Sequence, residues 1–276
     1  MYQLGLYEKS MPNNLSLREK LLITKECGFD FLEISIDETD EKLERLNWSQ
    51  KEKDELIKDI KELGVPIGSM CLSGHRRFPF GSHEKEKRNK SLEIMEKAID
   101  LAEYLGVRII QLAGYDVYYE ESDAETLKYF KENLKLAAEI ASKKGVILAF
   151  ETMETPFMNT IEKSMKYVNL INSPYLQIYP DSGNLKNASL LEGYKDLYED
   201  INLGKGHIAA VHLKESKPGH YREIPFGEGH VDFSKVIKTF IDQGVRRFTG
   251  EFWYVGQNNW KEDIEFANKF LRKHFE

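Results

Sequence analysis

Cysteine is scarce in this chain of 276 residues. The two present, Cys27 and Cys71, sit in apolar contexts without Cys-x-x-Cys spacing, so neither a disulfide framework nor a thiolate zinc site is indicated, and a reducing cytoplasm is the expected compartment. No apolar run approaches the roughly 18 residues of a membrane span. The opening MYQLGLYEKS has no basic start, apolar core and small-residue cleavage site, so a soluble, unexported protein without a membrane partner is expected. No long basic block occurs, the net charge is −7, and lysines and arginines are interleaved with acids. Nucleic acid is therefore not an expected partner. Low-complexity stretches and linkers rich in proline or serine are absent too. With 41% hydrophobic residues the chain can bury a large core, and one domain over residues 1–276 is expected.

What the chain does contain is a repeat: a charged amphipathic segment, a glycine, then a short apolar run. ECGFDFLEIS, ELGVPIGSMCLS, YLGVRIIQLAG, KKGVILAFE and DQGVRRFTGEF carry it, with glycines at 28, 64, 106, 145 and 244. Glycine just past a helix takes the left-handed cap conformation without a Cβ penalty, and the following residues suit a strand start. The gap from 145 to 244 holds two more units, INSPYLQIYPD and LGKGHIAAVHL, and YQLGLY supplies a first strand. Ser16-x-x-Glu19 is a capping box for the first helix, and segments 86 to 105 and 122 to 144 read as long helices. Strands such as VILAF and IAAVHL, continuously apolar, suit a parallel sheet buried on both faces. Eight such units predict an α/β fold, the (β/α)8 TIM barrel. A doubly wound open sheet is the rival, but no Gly-x-Gly-x-x-Gly follows the first strand.

In such a barrel the chemistry lies at the carboxyl ends of the strands. Strands five to eight end in Glu151, Asp181, His212 and Glu251. Singly, each has a plain alternative: an acid there is often a helix N-cap or a solvated loop residue, and Asp181 before Ser-Gly-Asn could merely open a turn. Jointly they place four metal-capable groups on one rim, a set that suits one divalent ion, Mn²⁺, Co²⁺, Mg²⁺ or Zn²⁺. Such an ion acidifies the C–H beside a ketone and favours an enediolate. Glu151 and Glu251, on either side, form an acid/base pair able to invert a carbon centre. For a phosphate, Lys214, Lys217 and Arg222 in the long irregular stretch 213 to 231 compete with His75, Arg76 and Arg77 after strand three. His75 is the candidate for a substrate hydroxyl, with packing as its alternative. Glu8, Glu33 and Gln111 also fall near strand ends, as sugar contacts or as supporting partners. Tyr118 and Tyr119 suggest a subunit contact or helix packing.

Seven segments carry a resemblance: GLYEK, DETDEKLERLNW, SMCLSGHRRFPFGS, IQLAGYDVYY, PDSGN, VHLKESKPG and PFGEGHVDF. Together they resemble the L-ribulose-5-phosphate 3-epimerases, also called L-xylulose-5-phosphate 3-epimerases, of L-ascorbate utilisation, in the xylose-isomerase-like barrel superfamily. The likeness runs from about residue 2 to 253. It implies a ketopentose phosphate substrate, metal ligation by Glu151, Asp181, His212 and Glu251, and an acid/base role for the two glutamates. It also implies a homodimer, the common state of barrels in this group. The stretch after Glu251, Phe-Trp-Tyr-Val-Gly-Gln-Asn-Asn, departs from the pattern. Three alternatives stay open: an aldose–ketose isomerase of the same superfamily, a phosphodiester hydrolase like endonuclease IV, and a noncatalytic sugar sensor or scaffold.

Overall fold

The computed structural model describes residues 1–191, 193 and 196–276. Eight parallel strands form one sheet: β1 (Gln3–Tyr7), β2 (Phe31–Ile36), β3 (Ile67–Leu72), β4 (Ile109–Ala113), β5 (Ile147–Glu151), β6 (Leu176–Tyr179), β7 (Val211–Leu213) and β8 (Arg247–Gly250). Their order is β6-β5-β4-β3-β2-β1-β8-β7, so β1 pairs with both β2 and β8. Between β6 and β7 the seam is closed by bridges Ile178 to Ile208 and Asp181 to His212, with His212 N donating to Pro180 O at 2.9 Å. The sheet is a TIM barrel.

Helices α1 (Leu17–Glu26), α2 (Asp40–Glu44), α3 (Gln50–Leu63), α4 (Lys85–Leu105) and α5 (Ala124–Lys144) fill the first half of the chain. They are followed by α6 (Ile161–Ile171), α7 (Ser182–Ala188), α8 (Leu197–Leu203), α9 (Phe233–Asp242) and α10 (Trp260–Lys273). Ser16 and Glu19 make the expected capping box on α1, Glu19 Oε2 accepting from Ser16 N at 2.7 Å. Gly64, Gly106 and Gly145 end α3, α4 and α5 with φ of 70°, 76° and 65°, the left-handed region that made glycine the sequence marker. At the end of α6 the same conformation is taken by Asn172, which is why the repeat loses its glycine there.

Strand residues alternate between two environments. Leu4, Leu6, Leu32, Ile34, Met70, Ile110, Leu148, Phe150, Ile178, Val211 and Phe248 belong to the main apolar cluster with the helices. The alternate positions face the barrel axis, and several are polar: Glu33, Ser69, Gln111, Tyr179, His212 and Thr249, all fully buried. Among the described residues no helix is long and apolar enough to cross a membrane.

Candidate active site and metal centre

Local structure explains how three of the four rim groups are placed. Glu151 is the last residue of β5, and Glu251 directly follows β8, with its N–H bonded to Leu213 O at 2.9 Å. Asp181 serves twice. Its Oδ1 accepts from Asn184 N at 2.6 Å as the N-cap of α7, while its Oδ2 turns to the axis, 3.1 Å from Lys214 Nζ. The cap and the ligand readings of this aspartate are thus compatible, one oxygen for each.

One ligand-capable atom from each of Glu151, Asp181, His212 and Glu251 lies within 4.8 Å of the others. His212 Nδ1 stands between two carboxylates, 3.0 Å from Glu251 Oε2 and 3.6 Å from Glu151 Oε1. Asp181 Oδ2, His212 Nδ1 and Glu251 Oε2 are buried yet make no hydrogen bond among the described residues. Their close neighbours are Lys214 Nζ, 3.1 Å from Asp181 Oδ2, and, for His212 Nδ1 and Glu251 Oε2, each other at 3.0 Å; three buried donor atoms drawn together in this way fit a cation that would satisfy them all. Oxygen donors with one imidazole are the chemistry of a divalent metal site. This group can therefore hold a metal ion.

The electrostatics agree. Burial drives Asp181 up to about 7, with Lys214 opposing and Glu251 adding to the rise. Glu251 is pushed up by burial too, but the nearby His212 and Lys214 outweigh that and hold it below its ordinary value. For His212, burial favours the neutral ring, whereas Glu33 and Glu251 overcome it and raise the affinity for a proton. Four carboxylates, Glu33, Glu151, Asp181 and Glu251, surround one imidazole and one ammonium, a local excess of negative charge.

Around the cluster a cleft opens between Tyr7, Lys9, Cys71, Ser73, Arg76, Met153, Glu154, Asn184, Arg222 and Trp253, with Lys214 and the two glutamates at its floor. Lys214 Nζ lies 2.9 Å from Asn184 Oδ1 and 4.0 Å from Glu251 Oε2. Arg222 pairs with Glu154 at 3.1 Å and sits 5.9 Å from the Trp253 ring centre. His75 is placed elsewhere: it is buried, its Nε2 lies 3.0 Å from Ser91 O, and its ring is 4.5 Å from that of Phe80. The next residue, Arg76, lines the cleft instead, its guanidinium over Tyr118 and 3.4 Å from Glu38 Oε1, with no hydrogen bond to its Nε among the described residues. His75 and Arg76 share a 3-10 turn over Gly74–Arg76, where neighbours point in different directions, and sequence spacing cannot phase so short a turn. Tyr118 and Tyr119 lie outside every helix, so the helix-packing expectation fails; Tyr119 OH instead reaches Glu38 at 3.0 Å.

The other rim groups are supporting partners. Gln111 Nε2 donates to Glu151 Oε2, and Glu33 accepts from His212 Nε2 at 2.6 Å. Glu8 lies in an ion-pair knot with Lys20, Lys42 and Arg45.

Burial lowers the pKa of His75 from 6.5 to about 4, so the folded ring stays neutral while the unfolded one takes a proton. This contribution to stability is present above the unfolded value and is lost as pH falls from 6.5 to about 4. The span corresponds to ~3 kcal/mol. From pH 7 to 4 the urea midpoint of wild type should therefore fall further than that of His75→Leu; an equal fall in both would show that His75 titrates normally.

Residues 21–274 match the xylose isomerase-like TIM barrel family. The chain is 49% identical over 282 residues to SgbU of Haemophilus influenzae, provisionally named an L-ribulose-5-phosphate 3-epimerase, covering 100% of this chain and 97% of that one. It is 47% identical over 241 residues to the L-ribulose-5-phosphate 3-epimerase UlaE of Shigella boydii, covering 87% of this chain and 83% of that one. Among solved structures, D-psicose 3-epimerase from Clostridium cellulolyticum H10, with D-tagatose, matches at a TM-score of 0.82 over 99% of both chains. At 15% identity that likeness bears on the fold alone.

Proposed function

The chain belongs to the xylose isomerase-like TIM barrel family and, within it, to the L-ribulose-5-phosphate 3-epimerases, and from that premise we propose how its residues interconvert L-ribulose 5-phosphate and L-xylulose 5-phosphate. One divalent ion, Mn²⁺, Co²⁺, Mg²⁺ or Zn²⁺, is held by Glu151, Asp181, His212 and Glu251. The observation that carries this reading is the convergence of their ligand atoms within 4.8 Å, three of the buried atoms making no hydrogen bond among the described residues. When bound, the ion supplies the positive charge that polarises the C2 ketone and acidifies the hydrogen on C3.

The remaining chemistry belongs to the side chains. One of the two glutamates takes the C3 proton, leaving the C–H electron pair in a C2–C3 enediolate, and the other returns a proton to the opposite face. Gln111 holds Glu151 by one oxygen, so the other stays available. Lys214, buried beside Asp181, meets the sugar near the ligand cluster. Lys9, Arg76 and Arg222 line the same cleft and form the cationic rim for the phosphate, each as a point charge or fork for its oxygens. We extend the reading to a cytoplasmic homodimer of L-ascorbate utilisation, each subunit one barrel domain over residues 1–276; the free, buried Cys27 and Cys71 support a reducing compartment.

Metal-stripped protein should lose turnover of L-xylulose 5-phosphate and regain it with one divalent ion per chain. In deuterated water the reconstituted enzyme should place label at C3. Label confined to C1 would mark an aldose–ketose isomerase, and full activity after stripping would remove the metal from the mechanism.

A further inference from the structure

A fully buried carboxylate lies inside the barrel beside the ligand cluster. Glu33, on β2, is fully buried, and both its oxygens are engaged. Oε2 accepts from Ser69 Oγ at 2.5 Å and from Tyr179 OH at 2.7 Å, while Oε1 lies 2.6 Å from His212 Nε2. Tyr179 OH is in turn 2.9 Å from Thr249 Oγ1. Strands β2, β3, β6, β7 and β8 are thereby joined through one carboxylate across the axis.

We propose that Glu33 is a positioning residue that fixes the tautomer and ring orientation of His212, and through them sets the metal affinity of the site. The inference rests on the metal reading above. An ionised carboxylate only accepts, so the proton in the Glu33–His212 bond belongs to Nε2. In the neutral imidazole the lone pair then falls on Nδ1, the atom that stands 3.6 Å from Glu151 Oε1 and 3.0 Å from Glu251 Oε2 in the ligand cluster. Ser69 and Tyr179 prevent Glu33 from turning away, since rotation would forfeit two hydrogen bonds in a site that water does not reach. A glutamine at 33 can instead present its amide N–H to Nε2, moving the ring proton to Nδ1, where it blocks ligation.

The test is calorimetric titration of metal-stripped protein with Zn²⁺. Glu33→Gln should bind about 10- to 100-fold more weakly than wild type with its circular dichroism spectrum unchanged. Tyr179→Phe removes one donor from Oε2 but leaves the His212 bond, and should stay within about threefold of wild type. Binding by Glu33→Gln within about twofold of wild type, or an equal loss in both variants, overturns the proposal. Should Glu33→Gln not fold, ¹⁵N spectra of histidine-labelled, Zn²⁺-loaded wild type decide. His212, identified by its absence in His212→Asn, should show a protonated Nε2 and a coordinated Nδ1; coordination through Nε2 overturns the proposal. A wild type that takes up no Zn²⁺ would sink the metal reading itself, a result distinct from either.

Discussion

Glutamine at position 151 or at position 251 should leave a folded barrel whose kcat for epimerisation is about 10²- to 10⁴-fold lower, the range carried by a positioned acid or base. The amide keeps the shape and an oxygen for the cation, but it neither accepts nor delivers a proton at C3. The two variants should fail differently. Inversion needs one group on each face of the sugar, so removing one leaves the other able to exchange the C3 hydrogen of the epimer it faces. Each single variant should therefore wash solvent deuterium into one epimer without forming the other, and the double variant should exchange neither. Proton NMR of each purified epimer in deuterated water reads this directly. A single variant that keeps more than about a tenth of wild-type kcat at saturating metal would exclude that glutamate from proton transfer.

Glu8→Gln should cost ~3–5 kcal/mol of stability, the usual loss when one partner of a buried ion cluster is removed. Glu8 Oε1 lies 3.0 Å from Lys20 Nζ and 2.5 Å from Lys42 Nζ, and the Arg45 guanidinium contacts both oxygens at 2.7 Å. Glu8 and Lys20 are fully buried, so the amide would leave three cations facing one another with little water to screen them. Burial opposes the ionised form of Glu8, but Arg45 first, then Lys20 and Lys42, hold its pKa well below the ordinary 4.5. The sign follows: a depressed carboxylate gives stability that is present above its unfolded value and lost as pH falls below about 4.5. Urea midpoints at pH 7 should show the full loss in Glu8→Gln, and the gap to wild type should shrink on acidification below pH 4.5. A loss under ~1 kcal/mol at pH 7 would place the knot among ordinary surface pairs. Because Lys42 is on α2 and Arg45 follows it, the knot also fastens this helix to the carboxyl end of β1.

Much of this was legible in the chain, for local reasons. A helix cap at Gly64, Gly106 or Gly145 is a property of one backbone position, and Ser16 with Glu19 bonds within a single turn. The strand-end positions of Glu151, Asp181, His212 and Glu251 could be read because barrel topology carries every strand end to one face. Their convergence within 4.8 Å could not be measured there. His75 and Arg76 show the limit at short range: one residue of phase on a 3-10 turn decides which lines the cleft, and packing against Phe80 and Ser91 settles it.

By itself the sequence determined the secondary elements, their parallel order and the side chains that each strand carries to the rim, because periodicity and capping depend on neighbours along the chain. Only the tertiary structure decided which buried groups meet. Glu33 and His212, 179 residues apart, touch because the sheet curls into a barrel, so that inward side chains of β2 and β7, three places apart in the strand order, meet inside it. Hydrogen bonds and charges act over a few ångströms of space, whatever the distance along the polypeptide.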